Sequence, residues 1–184
     1  MAFLVPDNLK SRKDVPEPIR NVAKAIEIAL DEAATLWFEP LFDRSGERPH
    51  FVLLLPDRGI VVLELLDVSK GGGVLGILRG RIRVLRDGKE VDVASPLQRA
   101  EKFAEVLRAR IAAEPRLSKL GIPVGASAVL HLVTRKEAEA KGLGSVVPAE
   151  RCLYREEIDA ALQGTGEQQL LRVFLRLLGG KFFG

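Results

Sequence analysis

Residues 50–66, His-Phe-Val-Leu-Leu-Leu-Pro-Asp-Arg-Gly-Ile-Val-Val-Leu-Glu-Leu-Leu, constrain the fold more than any other stretch of the chain. Pro56 presets φ and Gly59 is free to take a positive φ, so Pro56-Asp57-Arg58-Gly59 is predicted to be a turn between two strands. Both arms are almost continuously apolar, as central strands covered on two faces must be. A single charge, Glu64, interrupts the second arm. A carboxylate in a core strand is costly unless it has a partner. Two readings stand side by side: a basic residue from a neighbouring helix neutralises it, or it faces a cleft and holds a cation or a proton.

The rest of the chain supplies layers for such a hairpin. Residues 1–16, with Pro6, Pro16 and three basic side chains, are expected to form an extended arm on the domain. From Glu17 the spacing of Ile19, Val22, Ile26, Ala29 and Leu30 predicts a helix, with Asp14 as its cap and Pro18 tolerated in its first turn. Residues 35–42 read as a first strand. After the hairpin, Gly71-Gly72-Gly73-Val74-Leu75-Gly76 matches G-x-G-x-x-G, yet no helix begins there to meet a pyrophosphate. Instead residues 77–84 alternate as one strand, and Asp87-Gly88 closes a hairpin into residues 90–93. Residues 96–111 carry apolar side chains at Leu97, Ala100, Phe103, Ala104, Leu107 and Ile111, with Ser95 as cap and Pro96 at the first position of an amphipathic helix. Residues 124–133 form a second long apolar strand, completing a crossover unit with that helix. A short helix over 135–141, a short strand over 151–154, a helical turn or two over 156–162 and a helix over 167–178 follow. Residues 166–184 are expected to act as a C-terminal docking helix and tail, whose Gly-Gly-Lys lacks the flanking residues of a phosphate loop.

At 184 residues and 47% hydrophobic content, one globular domain spanning 1–184 is expected. The lone Cys152 excludes an intramolecular disulfide and a Cys-based zinc site, and His50 and His131 have no ligand spacing between them. No stretch approaches the ~18 apolar residues that span a bilayer, and the first residues lack the basic region of a signal peptide, so a soluble, cytoplasmic chain without a membrane partner is expected. A net charge of +3 permits contact with a polyanion without requiring it.

The run Arg-Pro-His-Phe-Val-Leu-Leu-Leu-Pro-Asp-Arg-Gly-Ile-Val-Val-Leu-Glu-Leu-Leu resembles the centre of the nuclease-related domain, a branch of the PD-(D/E)xK restriction-endonuclease-like superfamily. There a strand, a P-x-x-G turn and G-I-x-V-L-E-V-K follow one another. Ser95-Pro96-Leu97-Gln98-Arg99-Ala100 is also similar to that family's N-P-x-x-Q-A, with Arg99 on the family's Gln. The resemblance covers roughly residues 1–155. It implies an α/β fold with an αβββαβ core, a mixed central sheet flanked by helices. The element order deduced above agrees with it.

The resemblance also implies where chemistry would sit. Its metal-binding Asp falls on His50, its Glu on Glu64 and its catalytic Lys on Leu66. Two carboxylates would hold Mg²⁺ and the Lys would serve the attacking water, since carboxylate oxygens suit a hard cation that acidifies water and offsets phosphate charge. Of those three positions only Glu64 keeps its chemistry, and His50 is a poor ligand for Mg²⁺. A migrated site would recruit Lys70, which shares strand parity with Glu64, together with Asp67, Asp43 or Glu47. Otherwise His50 and Glu64 are expected to pair as imidazolium and carboxylate, raising the pKa of His50 and lowering that of Glu64.

Binding without cleavage has a separate basis. Arg79, Arg81 and Arg83 alternate with Ile82 and Val84, so three guanidinium groups are expected to line one strand face, where they would follow a phosphate backbone or merely protect a solvated edge. Arg99 is placed with them as a nucleic-acid contact. The favoured expectation is a catalytically degenerate, DNA-binding or DNA-processing accessory domain, associated in the resembled family with helicases or DNA-repair modules. No cofactor is expected unless the site is active, in which case it takes Mg²⁺. The alternatives are an active Mg²⁺-dependent endonuclease with a rearranged site, or a protein-interaction scaffold that binds no nucleic acid.

Overall fold

A computed structural model describes residues 1–42, 44–66, 69 and 71–179. Asp43, Asp67, Val68, Lys70 and the tail 180–184 lie outside the described residues, and with them Lys70 as a candidate catalytic group and the Gly-Gly-Lys of the tail. The first elements are β1 (Phe3–Val5), α1 (Glu17–Ala29), β2 (Thr35–Phe38), β3 (Phe51–Leu55) and β4 (Gly59–Leu65). There follow β5 (Gly73–Leu78), β6 (Arg81–Arg86), β7 (Lys89–Val93), α2 (Pro96–Ala113) and the single turn α3 (Pro115–Ser118). The chain ends with β8 (Val124–Leu130), α4 (Arg135–Ala140), β9 (Cys152–Tyr154), α5 (Arg155–Leu162) and α6 (Glu167–Leu177).

Six strands form one mixed sheet in the order β1-β2-β3-β4-β8-β9. The hairpin lies at its centre, with Leu53 opposite Val61 and Leu55 opposite Gly59. β8 runs parallel to β4, placing Ala128 beside Glu64, which is the crossover expected from the intervening helix. Gly59 has a structural reason to be glycine: its φ is 141°, and a Cβ there would stand 2.5 Å from the carbonyl of Pro123 and 3.1 Å from Leu178.

Alternation along β4 assigns each side chain to a face. Val61, Leu63 and Leu65 join a core with Ile19, Val22 and Ile26 of α1, Ile158 of α5, and Leu170 and Phe174 of α6. Val62 and Leu66 join a second core with Leu97, Ala100, Phe103 and Ala104 of α2. Glu64 has the parity of Val62 and so points toward α2. The Ser95 hydroxyl accepts from the Leu97 amide at 3.2 Å, fixing the start of α2 and with it the first-turn residue Arg99.

The structure departs from the expected layout in four places. Residues 1–16 are not a simple arm, because β1 pairs in parallel with β2 at the edge of the sheet, Leu4 beside Leu36. Asp14 does not cap α1, since its carboxylate is taken by Arg12 and the cap residue is Pro16. Residues 77–84 are two strands, broken by a turn at Arg79-Gly80. Finally, β5-β6-β7 is a separate three-stranded antiparallel sheet, not part of the central one. Its inward residues Val74, Ile82 and Val84 close over the α2-side core. No helix among the described residues is long and apolar enough to cross a membrane.

Candidate functional site

Glu64 and His50 meet. The carboxylate is only 1% exposed, and its Oε1 accepts from the His50 amide at 2.6 Å. His50 lies just before β3, where the hairpin register brings its backbone to Glu64. Its ring Nδ1 accepts from the Leu65 amide at 3.0 Å and stands 3.3 Å from Glu64 Oε2. A nitrogen that accepts an amide proton has none of its own, so His50 carries its ring hydrogen on Nε2 and is neutral.

The cation at this carboxylate is Arg99. Its Nε lies 3.1 Å from Glu64 Oε2, a second guanidinium nitrogen donates to the Arg48 carbonyl at 3.0 Å, and its plane lies over Phe103 at 5.2 Å. Arg99 is itself half exposed, so it closes the site from the surface and leaves Glu64 behind it. Beside it Lys102 pairs with Glu47 at 3.2 Å, which occupies one of the acids available to a migrated site.

The protonation expected from an imidazolium–carboxylate pair is reversed. Burial pushes the Glu64 carboxyl up, to about 7, against the His50 amide and the Arg99 guanidinium, both of which favour the anion. Burial lowers His50 to about 4, with the charge of Arg99 and then His131 adding to the effect. The geometry agrees with the direction at His50, whose Nδ1 lone pair is taken by the Leu65 amide and so offers Glu64 no ring proton.

No family model, curated protein or solved structure matches the chain. Leu66, on the catalytic Lys position of the resembled family, is 8% exposed and packs in the α2-side core. A divalent cation does not fit at Glu64 as arranged: one carboxylate already receives an amide and a guanidinium, and the His50 ring nitrogen beside it accepts from Leu65. Among the described residues no group of three or more His, Cys, Asp or Glu side chains is placed to share a metal ion. His50, Glu64 and Arg99 line none of the five main cavities among the described residues.

The arginine row divides. Arg81 and Arg83 lie on the outer face of β6, while Ile82 and Val84 are buried, as the alternation requires. Arg79 is in the β5–β6 turn instead of the strand, with a φ of 50°. Arg83 sits opposite Asp92 and donates to both of its carboxylate oxygens, at 2.9 and 3.3 Å, and to Glu90 at 3.4 Å. Arg83 in turn holds Asp92 below the usual carboxylate range by hydrogen bonding, with Arg81 and Arg79 contributing through their charge. Arg99 is not part of this row; it belongs to Glu64. Counting outward from Asp87-Gly88 would have placed Arg83 opposite Asp92 from sequence alone. The Arg99–Glu64 pairing had no comparable local signal.

Proposed function

We propose that this chain is a catalytically silent, nuclease-related DNA-binding domain. The observation that carries this reading is the Glu64–Arg99 contact, in which a half-exposed guanidinium caps the buried carboxyl group that would otherwise hold a metal. Support for the restriction-endonuclease-like core comes from topology: with β1 and the inserted β5-β6-β7 sheet set aside, α1, the β2-β3-β4 meander, the α2 crossover and the parallel strand β8 come in the order of an αβββαβ unit. The two lost positions fit the same account, His50 serving as a neutral acceptor for β4 and Leu66 as core. A cytoplasmic setting and a role beside a helicase or DNA-repair protein go with the resemblance and belong to the proposal.

Incubation of the purified chain with plasmid and linear DNA, with Mg²⁺ or Mn²⁺, is expected to give no cleavage. Reproducible cutting that Glu64→Ala abolishes would overturn the reading. A second reading, as a protein scaffold, is favoured by one observation. The α2-side face of the sheet beyond α2 keeps Phe3 and Val5 exposed beside partly covered Trp37, Leu54 and Ile60. Absence of DNA binding at low salt would favour it.

A further inference from the structure

Resting on the DNA-binding reading above, we propose that the end of the β5–β6 hairpin grips the phosphate backbone of a nucleic-acid duplex through Arg79 and Arg81, while Arg83 serves the small sheet itself. The division follows from what each guanidinium already touches. Arg83 has both oxygens of Asp92 and one of Glu90 within hydrogen-bond distance, so its charge is balanced inside the sheet. Arg81 is exposed and, among the described residues, donates to a carbonyl, that of Asp92 at 3.2 Å, and meets no carboxylate in an ion pair. Arg79 is exposed in the turn beyond the strand.

The turn is built to present these two side chains. Arg79 and Gly80 have φ values of 50° and 74°, and Leu78 pairs directly with Arg81, as in a two-residue hairpin turn with both central residues left-handed. Arginine is an uncommon choice for a left-handed position, where Asn would be easier. Gly80 forms one wall of an open concavity of about 310 Å³ whose other walls include Ser95, Gln98 and Arg151. The carboxylate that faces this space, Glu101, is paired with Arg151, so it does not cancel the hairpin arginines. No aromatic ring lines the concavity, which removes the stacking platform that a single strand needs and leaves phosphate contact as the mode of recognition.

The variant that tests this is Arg79→Asn with Arg81→Gln. Asn-Gly is the most favoured pair for such a turn, so the hairpin is kept while both charges are removed. Binding of a short fluorescein-labelled DNA duplex to the full chain is followed by anisotropy over a range of salt concentrations. The double variant is expected to lower the magnitude of the slope of log K against log salt by about 2, one phosphate per arginine, while Arg83→Ala leaves the slope unchanged. The labelled single strand of the same sequence is expected to bind more weakly than the duplex. A slope unmoved in the double variant, an equal loss in Arg83→Ala, or tighter binding of the single strand overturns the inference while leaving DNA binding intact. No binding of the duplex by the unaltered chain at low salt overturns the functional reading beneath it.

Discussion

Replacing His50 with Asn exposes a pH dependence that the unaltered protein conceals. For Glu64 the folded value of about 7 lies above the ordinary 4.5, so its contribution is fully present below 4.5 and is lost as pH rises through about 7. For His50 the folded value of about 4 lies below the ordinary 6.5, so its contribution is present above 6.5 and is lost as pH falls through about 4. Between 4.5 and 6.5 the two slopes are equal and opposite, and the pair adds almost no pH dependence to stability. Asn at position 50 can still accept from the Leu65 amide and keeps the backbone amide that donates to Glu64, but it does not titrate. Nor does the His50 ring contribute to the shift of Glu64, whose causes are burial, the His50 amide, Arg99 and Glu39. At ~1.4 kcal/mol per pH unit, the variant is expected to lose about 3 kcal/mol of stability through Glu64 between pH 4.5 and 7, while the unaltered protein changes little. Urea unfolding followed by circular dichroism across this range measures the difference directly. Parallel profiles for the two proteins would refute the reasoning at His50, whose ring would then titrate alike folded and unfolded, and a variant that gains stability as pH rises would mean that Arg99 outweighs burial at Glu64.

Arg99→Leu removes the guanidinium in contact with Glu64 and is expected to destabilise the fold by about 1 to 3 kcal/mol at pH 8, and less near pH 5, where Glu64 is protonated; denaturant midpoints at the two pH values check this. Gly59→Ala forces a Cβ toward the Pro123 carbonyl at 2.5 Å in a left-handed backbone and is expected to cost more than about 1 kcal/mol, read as a lower melting temperature. Ser95→Ala loses the cap of α2 and its hydroxyl contact to the Val146 carbonyl at 3.1 Å, with an expected loss of about 1 to 2 kcal/mol in urea unfolding.

The parts of this fold that could be read from sequence are those whose cause is local. The boundaries of β3, β4 and α2 follow from a turn tetrapeptide, a cap and a periodicity, all within a few residues. β1 has only three residues, and its place at the sheet edge depends on β2, so nothing within residues 1–16 announces it. The small sheet was hidden for a related reason: Arg79-Gly80 is a turn without the usual Asn or Asp, and the hydrophobic alternation continues across it. In the site, sequence showed that Glu64 would be buried and that a basic helix residue was one solution. It could not show that Arg99 was that residue, because the pairing depends on how α2 sits across β4. The proton on His50 was also beyond it, since the Leu65 amide that decides it arrives through the strand register.

The position of the small sheet in the chain has a kinetic consequence. β5, β6 and β7 pair only with their immediate neighbours in sequence, so this meander can close without waiting for the rest of the molecule. The ladder between β4 and β8 has to bring together Leu65 and Val129 across the whole of that meander, α2 and α3. Prior closure of the meander gathers much of the intervening chain into a compact knot and shortens the loop that β4 and β8 must search. Formation of that parallel ladder closes the longest of these loops, and it adds a second strand beneath α2, the helix that carries Arg99 across to Glu64.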